Sequence, residues 1–307
     1  MPKKCKVQVT LHFFGFTSIA KYVILQTYVT EKGGDTVRND MTLQRETIAS
    51  LCAHEPVLVF DTLPSTNDRL KEMAKQGAQD GTVVIADAQT AGKGRLGRSF
   101  HSPKGKGLYL SYLWRPHCLQ AERLLPLTGL CAVAALRAVE KTYGVKTKIK
   151  WTNDLLCNGR KIAGILTEMT LQAGSDLADA VIIGVGINVC QTEDDFPEDL
   201  RTIASSLALC GAPDVSRETL AAELILQIRA ALFALQKDCT QEYLTLYRAR
   251  CLTLGKRVRL LRGAEETFAV AEGIDRSFGL AVRYDSGNTE VIRSGEASVR
   301  YAYGHLE

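Results

Sequence analysis

The stretch from Thr82 to Gly107 constrains this chain more than any other. Thr82-Val-Val-Ile-Ala86 is a β-branched run that predicts a strand, and it leads through Gln89-Thr-Ala into Gly92-Lys93-Gly94-Arg95-Leu96-Gly97-Arg98. The first six residues of that loop fit G-x-G-x-x-G, a spacing that binds dinucleotides only where a helix begins at the glycines and holds pyrophosphate at its N-terminus. Here the loop runs on into Ser99-Phe-His-Ser-Pro103-Lys-Gly105-Lys-Gly107, where a proline and two glycines argue against a helix. A Rossmann oxidoreductase is thereby disfavoured. What remains is a set of cations, Lys93, Arg95, Arg98, Lys104 and Lys106, on a backbone that glycine leaves free to wrap around something. Free N–H groups and fixed cations together suit a phosphate or carboxylate. Ordering such a loop costs roughly 1 to 2 kcal/mol per residue, so it is expected to be mobile until a ligand offsets that cost.

The flanking pattern alternates strands and helices. Val57-Leu-Val-Phe60 predicts a short strand, and Ser65-Thr-Asn-Asp68 opens a helix to Lys75 with Gly77 as its stop. Ser65 and Asp68 have the spacing of a capping box, so a purely structural role for Ser65 stands beside a binding one. A short helical run precedes them at residues 42–52. Residues 107–114 read as a strand and residues 123–143 as a long core helix ending at Gly144. Strands follow at 148–151, 155–157 and 162–171, with Asn158-Gly159 as a two-residue hairpin turn. Residues 180–188 are apolar throughout and are expected to be buried on both faces. After helices at 217–235 and 239–252, short strands cut by Gly263, Gly273, Gly279, Gly287 and Gly295 suggest a small β-barrel. The fold class is α+β, a mixed sheet with helices packed on it followed by a small all-β domain. The boundaries fall at 1–55 for an N-terminal extension without a clear helix-turn-helix pair, 56–253 for the larger domain and 254–307 for the smaller.

A formal charge of +4 over 307 residues is too mild for a nucleic-acid or membrane-surface protein, so DNA is not expected as a partner. Nine scattered cysteines, without a C-x-x-C pair or a histidine at ligand spacing, argue against disulfides and zinc and suit a reducing compartment. An apolar stretch from Val7 to Val29 imitates an export signal, but Gln8, Thr10, His12, Thr17, Ser18 and Lys21 interrupt it before about 18 apolar residues accumulate. A cytoplasmic protein with no membrane span is the expectation.

A second chemical signal is Lys150-Trp151-Thr152-Asn153-Asp154, followed by Lys161-Ile-Ala-Gly164-Ile-Leu-Thr-Glu168. A lysine that follows a tight turn and enters an apolar strand sits on a rigid support with part of its stem buried, where an enzyme would want a fixed positive charge. An exposed edge lysine is the bland alternative.

Set side by side, Ser65-Thr-Asn67, Gln89, residues 92–98, Lys150-Trp-Thr-Asn-Asp154 and Lys161-Ile-Ala-Gly-Ile-Leu resemble the biotin protein ligase family in order and spacing, and Gly184-Val-Gly-Ile-Asn188 and the C-terminal barrel extend the likeness. The resemblance implies a catalytic domain of the class II aminoacyl-tRNA synthetase and biotin ligase type with an SH3-like C-terminal barrel. It implies ATP-dependent activation of biotin to biotinyl-5'-AMP, with Mg²⁺ held mainly by the ATP phosphates, and transfer to a lysine of a biotin carboxyl carrier protein domain. Lys161 and Arg95 would be the catalytic pair. Ser65, Thr66 and Gln89 would reach the ureido ring of biotin, Lys93 and Arg95 would belong to a loop that closes over biotin and the adenylate phosphate, Lys161 would lie near the biotin carboxylate and the α-phosphate, and Asn67, Gly92, Gly94 and Gly164 would also bind biotin. Arg98, Phe100, Asn153, Asp154, Gly186 and Asn188 would lie towards ATP, with Phe100 as an aromatic cover for adenine. The sequence departs from the family pattern at Lys93, Thr152 and Phe100, where Arg, Pro and Trp are usual. Lys93 keeps the charge and loses the planar fork, so an altered hold on the intermediate is expected. A combined ligase and operon repressor and a lipoate-type ligase are the alternatives, and a homodimer is left open.

Overall fold

A computed structural model describes residues 43–53, 56–212, 216–293 and 298–301. Residues 1–42 lie outside the described residues, and with them the apolar stretch from Val7 to Val29 and most of the N-terminal extension. The described residues fall in one compact unit. Among the described residues no helix is long and apolar enough to cross a membrane.

The large sheet has seven strands: β1 (Val57–Leu63), β2 (Val83–Gln89), β3 (Gly107–Trp114), β4 (Lys148–Lys150), β5 (Asp154–Cys157), β6 (Arg160–Leu171) and β7 (Ala178–Asn188), in the order β1-β2-β3-β7-β6-β5-β4. Only β1 and β2 run parallel, because α2 (Thr66–Lys75) provides the crossover between them; the other neighbours are antiparallel. Side chains alternate between the two faces. On one face Val83, Ile85, Leu108, Leu110, Val185 and Ile187 pack under α3 (Leu127–Tyr143) and α4 (Arg217–Gln236), and α1 (Arg45–Cys52) packs on α4. On the other, Val84, Leu113, Ala180 and Ile182 pack under Leu70 of α2. β7 is therefore covered on both sides, as its unbroken apolar run requires.

The core helix starts later than the sequence pattern predicts. Residues 121–124 form a separate 3-10 turn, and α3 begins after Pro126, whose ring cannot sit inside a helix with the preceding turn intact. Likewise α5 (Gln241–Arg250) is shorter at both ends than residues 239–252. Beyond it β8 (Arg257–Arg262), β9 (Glu265–Ile274), β10 (Leu280–Tyr284), β11 (Thr289–Ile292) and β12 (Ser298–Tyr301) make a five-stranded antiparallel sheet, ordered β11-β10-β9-β8-β12. The turn after β9 reaches back to the large sheet. Phe278 stacks edge-on against Tyr247 at 5.1 Å, and its carbonyl accepts the indole N–H of Trp151 at 2.8 Å. Gly129 is glycine for the same reason, since a Cβ there would lie 2.2 Å from the Phe278 ring.

Candidate active site

A change of pattern on the α2 face of the sheet opens a recess. Along β7 the residues on this face are Ala180, Ile182, Gly184 and Gly186, so two packed side chains give way to two glycines. Neighbours occupy the vacated space: a Cβ on Gly184 would lie 2.2 Å from Asn67 Oδ1, and one on Gly186 would lie 2.7 Å from the Phe100 ring. The register places Ser111 of β3 and Leu166 of β6 beside Gly184, and Tyr109 and Gly164 beside Gly186. The resulting recess has about 480 Å³ of space, part of it open to solvent.

The first turn of α2 forms one wall. Ser65 is its N-cap and accepts the Asp68 N–H at 3.4 Å, so the capping role foreseen for it is real, yet Ser65 also lines the recess. Thr66 and Asn67 are buried behind it. Gln89, at the end of β2, has a fixed orientation: its Oε1 accepts the Thr66 N–H at 2.9 Å, and its Nε2 donates to Ser102 Oγ at 3.0 Å.

The glycine-rich loop forms the second wall. It contains no helix, only a 3-10 turn at Arg95–Gly97, and is closed like a hairpin by Gly94 N–H to Arg98 O at 2.7 Å and Phe100 N–H to Gly92 O at 2.8 Å. Lys93 pairs with Asp68 on α2 at 2.6 Å, and that bond raises the lysine above its ordinary pKa. Arg95 reaches inward. Its Nη1 donates to Asn153 Oδ1 at 3.0 Å, while its Nη2 is buried without a partner. Burial lowers its pKa from the usual arginine value, with Asp154 opposing the shift. A guanidinium N–H that is buried and has no protein partner is a donor suited to an anion.

Lys161 comes from the opposite side. Asn158 and Gly159 both take positive φ, as a hairpin turn of this type needs, and deliver Lys161 into β6. Its backbone is clamped twice, by its N–H to Ile203 O and by Ser205 N–H to its carbonyl, each at 2.8 Å. The ammonium lies 2.8 Å from Asp154 Oδ1, an ion pair off the hydrogen-bonding line, and 5.8 Å from the Phe100 ring centre. Lys161 and Arg95 line the same recess, so the loop and the strand-borne lysine converge.

Most residues singled out from sequence meet here: Ser65, Thr66, Asn67 and Gln89 on the α2 side, Lys93, Gly94 and Arg95 in the loop, and Phe100, Asn153, Lys161, Gly164 and Gly186 across from them. Four do not line it. Gly92 is buried beneath the loop, where a Cβ would meet Phe100 O at 2.5 Å, and Arg98 is exposed on the outside. Asp154 sits behind Lys161. Asn188 lies further along β7, its amide committed to Ser205 O at 2.9 Å and Gln191 Nε2 at 3.1 Å. Sequence reasoning missed Tyr109, which lines the recess, and the pair Ser111 and Glu168 behind it. A lone serine inside an apolar strand was the one available hint.

Residues 59–188 match the biotin/lipoate A/B protein ligase family, and residues 253–300 match the biotin protein ligase C terminal domain. The biotin–[acetyl-CoA-carboxylase] ligase of Mycobacterium tuberculosis is 33% identical over 237 residues, 76% of this chain and 84% of that protein. This chain belongs to the biotin protein ligase family. Among its relatives, the bifunctional ligase/repressor BirA of Bacillus spizizenii is 45% identical over 157 residues, 51% of this chain. That match spans 47% of the relative, about half its length. The biotin protein ligase of Aquifex aeolicus, solved in complex with biotin and ATP, superposes with a TM-score of 0.68 at 28% identity and covers 81% of this chain and 100% of its own. The mixed α+β sheet described above is thus a biotin protein ligase fold, and the antiparallel C-terminal sheet coincides with the second family match.

Proposed function

We propose that this protein is a biotin protein ligase that activates biotin with ATP as biotinyl-5'-AMP and passes the biotinyl group to a lysine of a biotin carboxyl carrier protein domain. The observation that carries this is the meeting of two cations, the Lys161 ammonium and the unpaired Arg95 Nη2, over a recess whose inner end holds Ser65, Thr66 and Gln89. A cyclic urea has both donors and an acceptor, and a buried unpaired one costs roughly 1 to 3 kcal/mol, so short hydroxyl and amide groups are the right lining. The carboxylate at the other end of biotin would then lie between Lys161 and Arg95.

Activation brings a carboxylate against a polyanion, and its first requirement is cancelled repulsion. Lys161 and Arg95 supply fixed positive charge where the attacking oxygen and the α-phosphate meet. Because both are already ordered by Asp154 and Asn153, little reorganisation remains for the reaction to bear. The loop walls the adenylate off from water, which would otherwise hydrolyse the mixed anhydride. No enzyme nucleophile is required. Burial pushes the thiols of Cys131 and Cys157 up to about 12, which keeps both protonated near neutral pH.

Among the described residues no three His, Cys, Asp or Glu side chains gather to hold a metal ion. Mg²⁺ would come in with the nucleotide, held mainly by its phosphates, and Asp154, which pairs with Lys161 beside the recess, is the carboxylate that would help hold it. Bound with ATP, the ion neutralises phosphate charge. The same proposal takes residues 56–253 as the catalytic domain and 254–307 as an SH3-like barrel; the bulge at Glu272, an extra residue of β9 opposite the Ala281–Val282 step of β10, bends β9 and supports the barrel.

Exchange of pyrophosphate into ATP that depends on biotin, and not on lipoate at equal concentration, is the expected result; exchange with lipoate alone would replace the ligand. For the loop, Arg95→Ala is expected to release biotinyl-5'-AMP about 10- to 100-fold faster, the size of one charge-assisted contact. A release rate equal to the parent's, measured by trapping free adenylate, removes the loop from this role.

A further inference from the structure

The glycine-rich loop is tied to two different walls of the recess. Gly94 has an extended backbone and separates two cations that leave the loop for opposite partners. Arg95 goes to Asn153, in the turn before β5. Lys93 goes to Asp68 in the first turn of α2, its ammonium 2.7 Å from Oδ1 and 2.6 Å from Oδ2. Between these ties the loop crosses the recess as a strap, stiffened by its own hairpin bonds. Asp68 is available for this because its neighbours are committed elsewhere. Ser65 Oγ accepts the backbone N–H of Asp68, so the helix cap does not use the carboxylate. Lys71, the other nearby cation, pairs with Glu168 and stands 3.9 Å from Asp68. Glu168 in turn accepts from Asn67 Nδ2 at 2.7 Å. The four charges therefore alternate, Lys93, Asp68, Lys71, Glu168, and Lys93 is the nearer cation to Asp68. Asp68 itself does not line the recess.

We infer that Asp68 is a positioning residue for the loop: through Lys93 it latches the strap to α2 and so sets how long a biotinyl adenylate stays in the recess. This rests on the ligase reading above and deepens it. The ammonium meets both carboxylate oxygens as a point charge, without the directional fork of an arginine. Both side chains are close to half exposed, at 45% and 43%, so this tie is weak and screened by salt, unlike that of the more deeply placed Arg95. A weak tie suits the step. The strap has to open in every turnover to admit biotin and let products leave, and it has to stay shut long enough for the acceptor to arrive.

The test follows release of biotinyl-5'-AMP from the whole protein by trapping free adenylate at about 50 mM and about 500 mM NaCl, with biotin-dependent pyrophosphate exchange measured beside it. Asp68→Asn is expected to release the adenylate about two- to fivefold faster at the lower salt, the effect of one exposed ion pair. Its exchange rate at saturating biotin and ATP should stay within about twofold of the parent's, since Asp68 touches no reactant. At the higher salt the ratio of the two release rates should fall towards one, because screening removes the tie from the parent as well. Asp68→Lys sets a third cation beside Lys93 and Lys71 and should release the adenylate faster still. In a Lys93→Met background, Asp68→Asn should change release by less than about 1.5-fold, since the group it acts through is gone. Release from both Asp68 variants at the parent's rate, a ratio that salt leaves unchanged, or an Asp68→Asn effect that persists in full without Lys93 overturns the latch. A parent protein that forms no adenylate from biotin and ATP overturns the underlying reading instead.

Discussion

Lys161→Ala is expected to slow biotin-dependent pyrophosphate exchange by roughly 10²- to 10³-fold, the usual consequence of deleting one fixed charge aimed at a developing negative centre. The fold should survive. The Lys161 side chain is 36% exposed, and the two bonds that anchor it to the segment around Ser205 are made by its backbone, which alanine keeps. Removing the ammonium also leaves Asp154 as a bare carboxylate beside the place where phosphate would sit, so part of the loss comes from restored repulsion. Lys161→Met keeps the stem and should fall nearly as far, because packing is not what the residue contributes. Exchange kinetics alongside a melting curve check this; a normal exchange rate in either variant takes Lys161 out of the chemistry.

Asp87→Ala is expected to cost about 3 to 5 kcal/mol of stability, the usual loss on removing one member of a buried ion pair. Asp87 on β2 is 2% exposed and Arg217 at the start of α4 is 8% exposed; their atoms meet at 2.8 Å, and the same guanidinium nitrogen donates to Gly107 O at 2.9 Å. The pair ties α4 to the sheet just below the segment that carries the glycine-rich loop, since Gly105 N–H also bonds to Asp87 O. Without the carboxylate the guanidinium loses its charged partner on β2 and keeps Gly107 O, a neutral acceptor. Adding Arg217→Met should return most of the loss, because a buried pair replaced by apolar side chains of similar volume is close to neutral. Urea denaturation of both proteins measures the difference. If the single variant loses less than about 1 kcal/mol, the pair is better solvated than its burial implies.

The sequence alone was sufficient for the parts of the site that are local. The glycine loop had no helix because Pro103 and its neighbouring glycines follow it directly, and the strand-borne Lys161 followed from the Asn158-Gly159 turn, both decided by backbone sterics within a few residues. The α+β order of elements was also legible, since periodicity is a property of each segment. Element ends were less so: Pro126 delays α3 in a way that the long apolar run from Arg123 conceals.

Only the tertiary structure decided which side chains share a space. Gly184 and Gly186 stood out in the sequence only through the family likeness, with no local signal of a recess; the register against β3 and β6 turns them into its floor, because Asn67 and Phe100 fill what their missing side chains leave. Asn188, two residues on, is drawn off by Ser205 and Gln191 instead. Ser111 and Glu168 reach Asn67 the same way, from 44 and 101 positions away along the chain. Backbone preference acts between neighbours in sequence and can be read there, whereas a hydrogen-bond direction or a shared cavity exists only once distant strands have been brought into register.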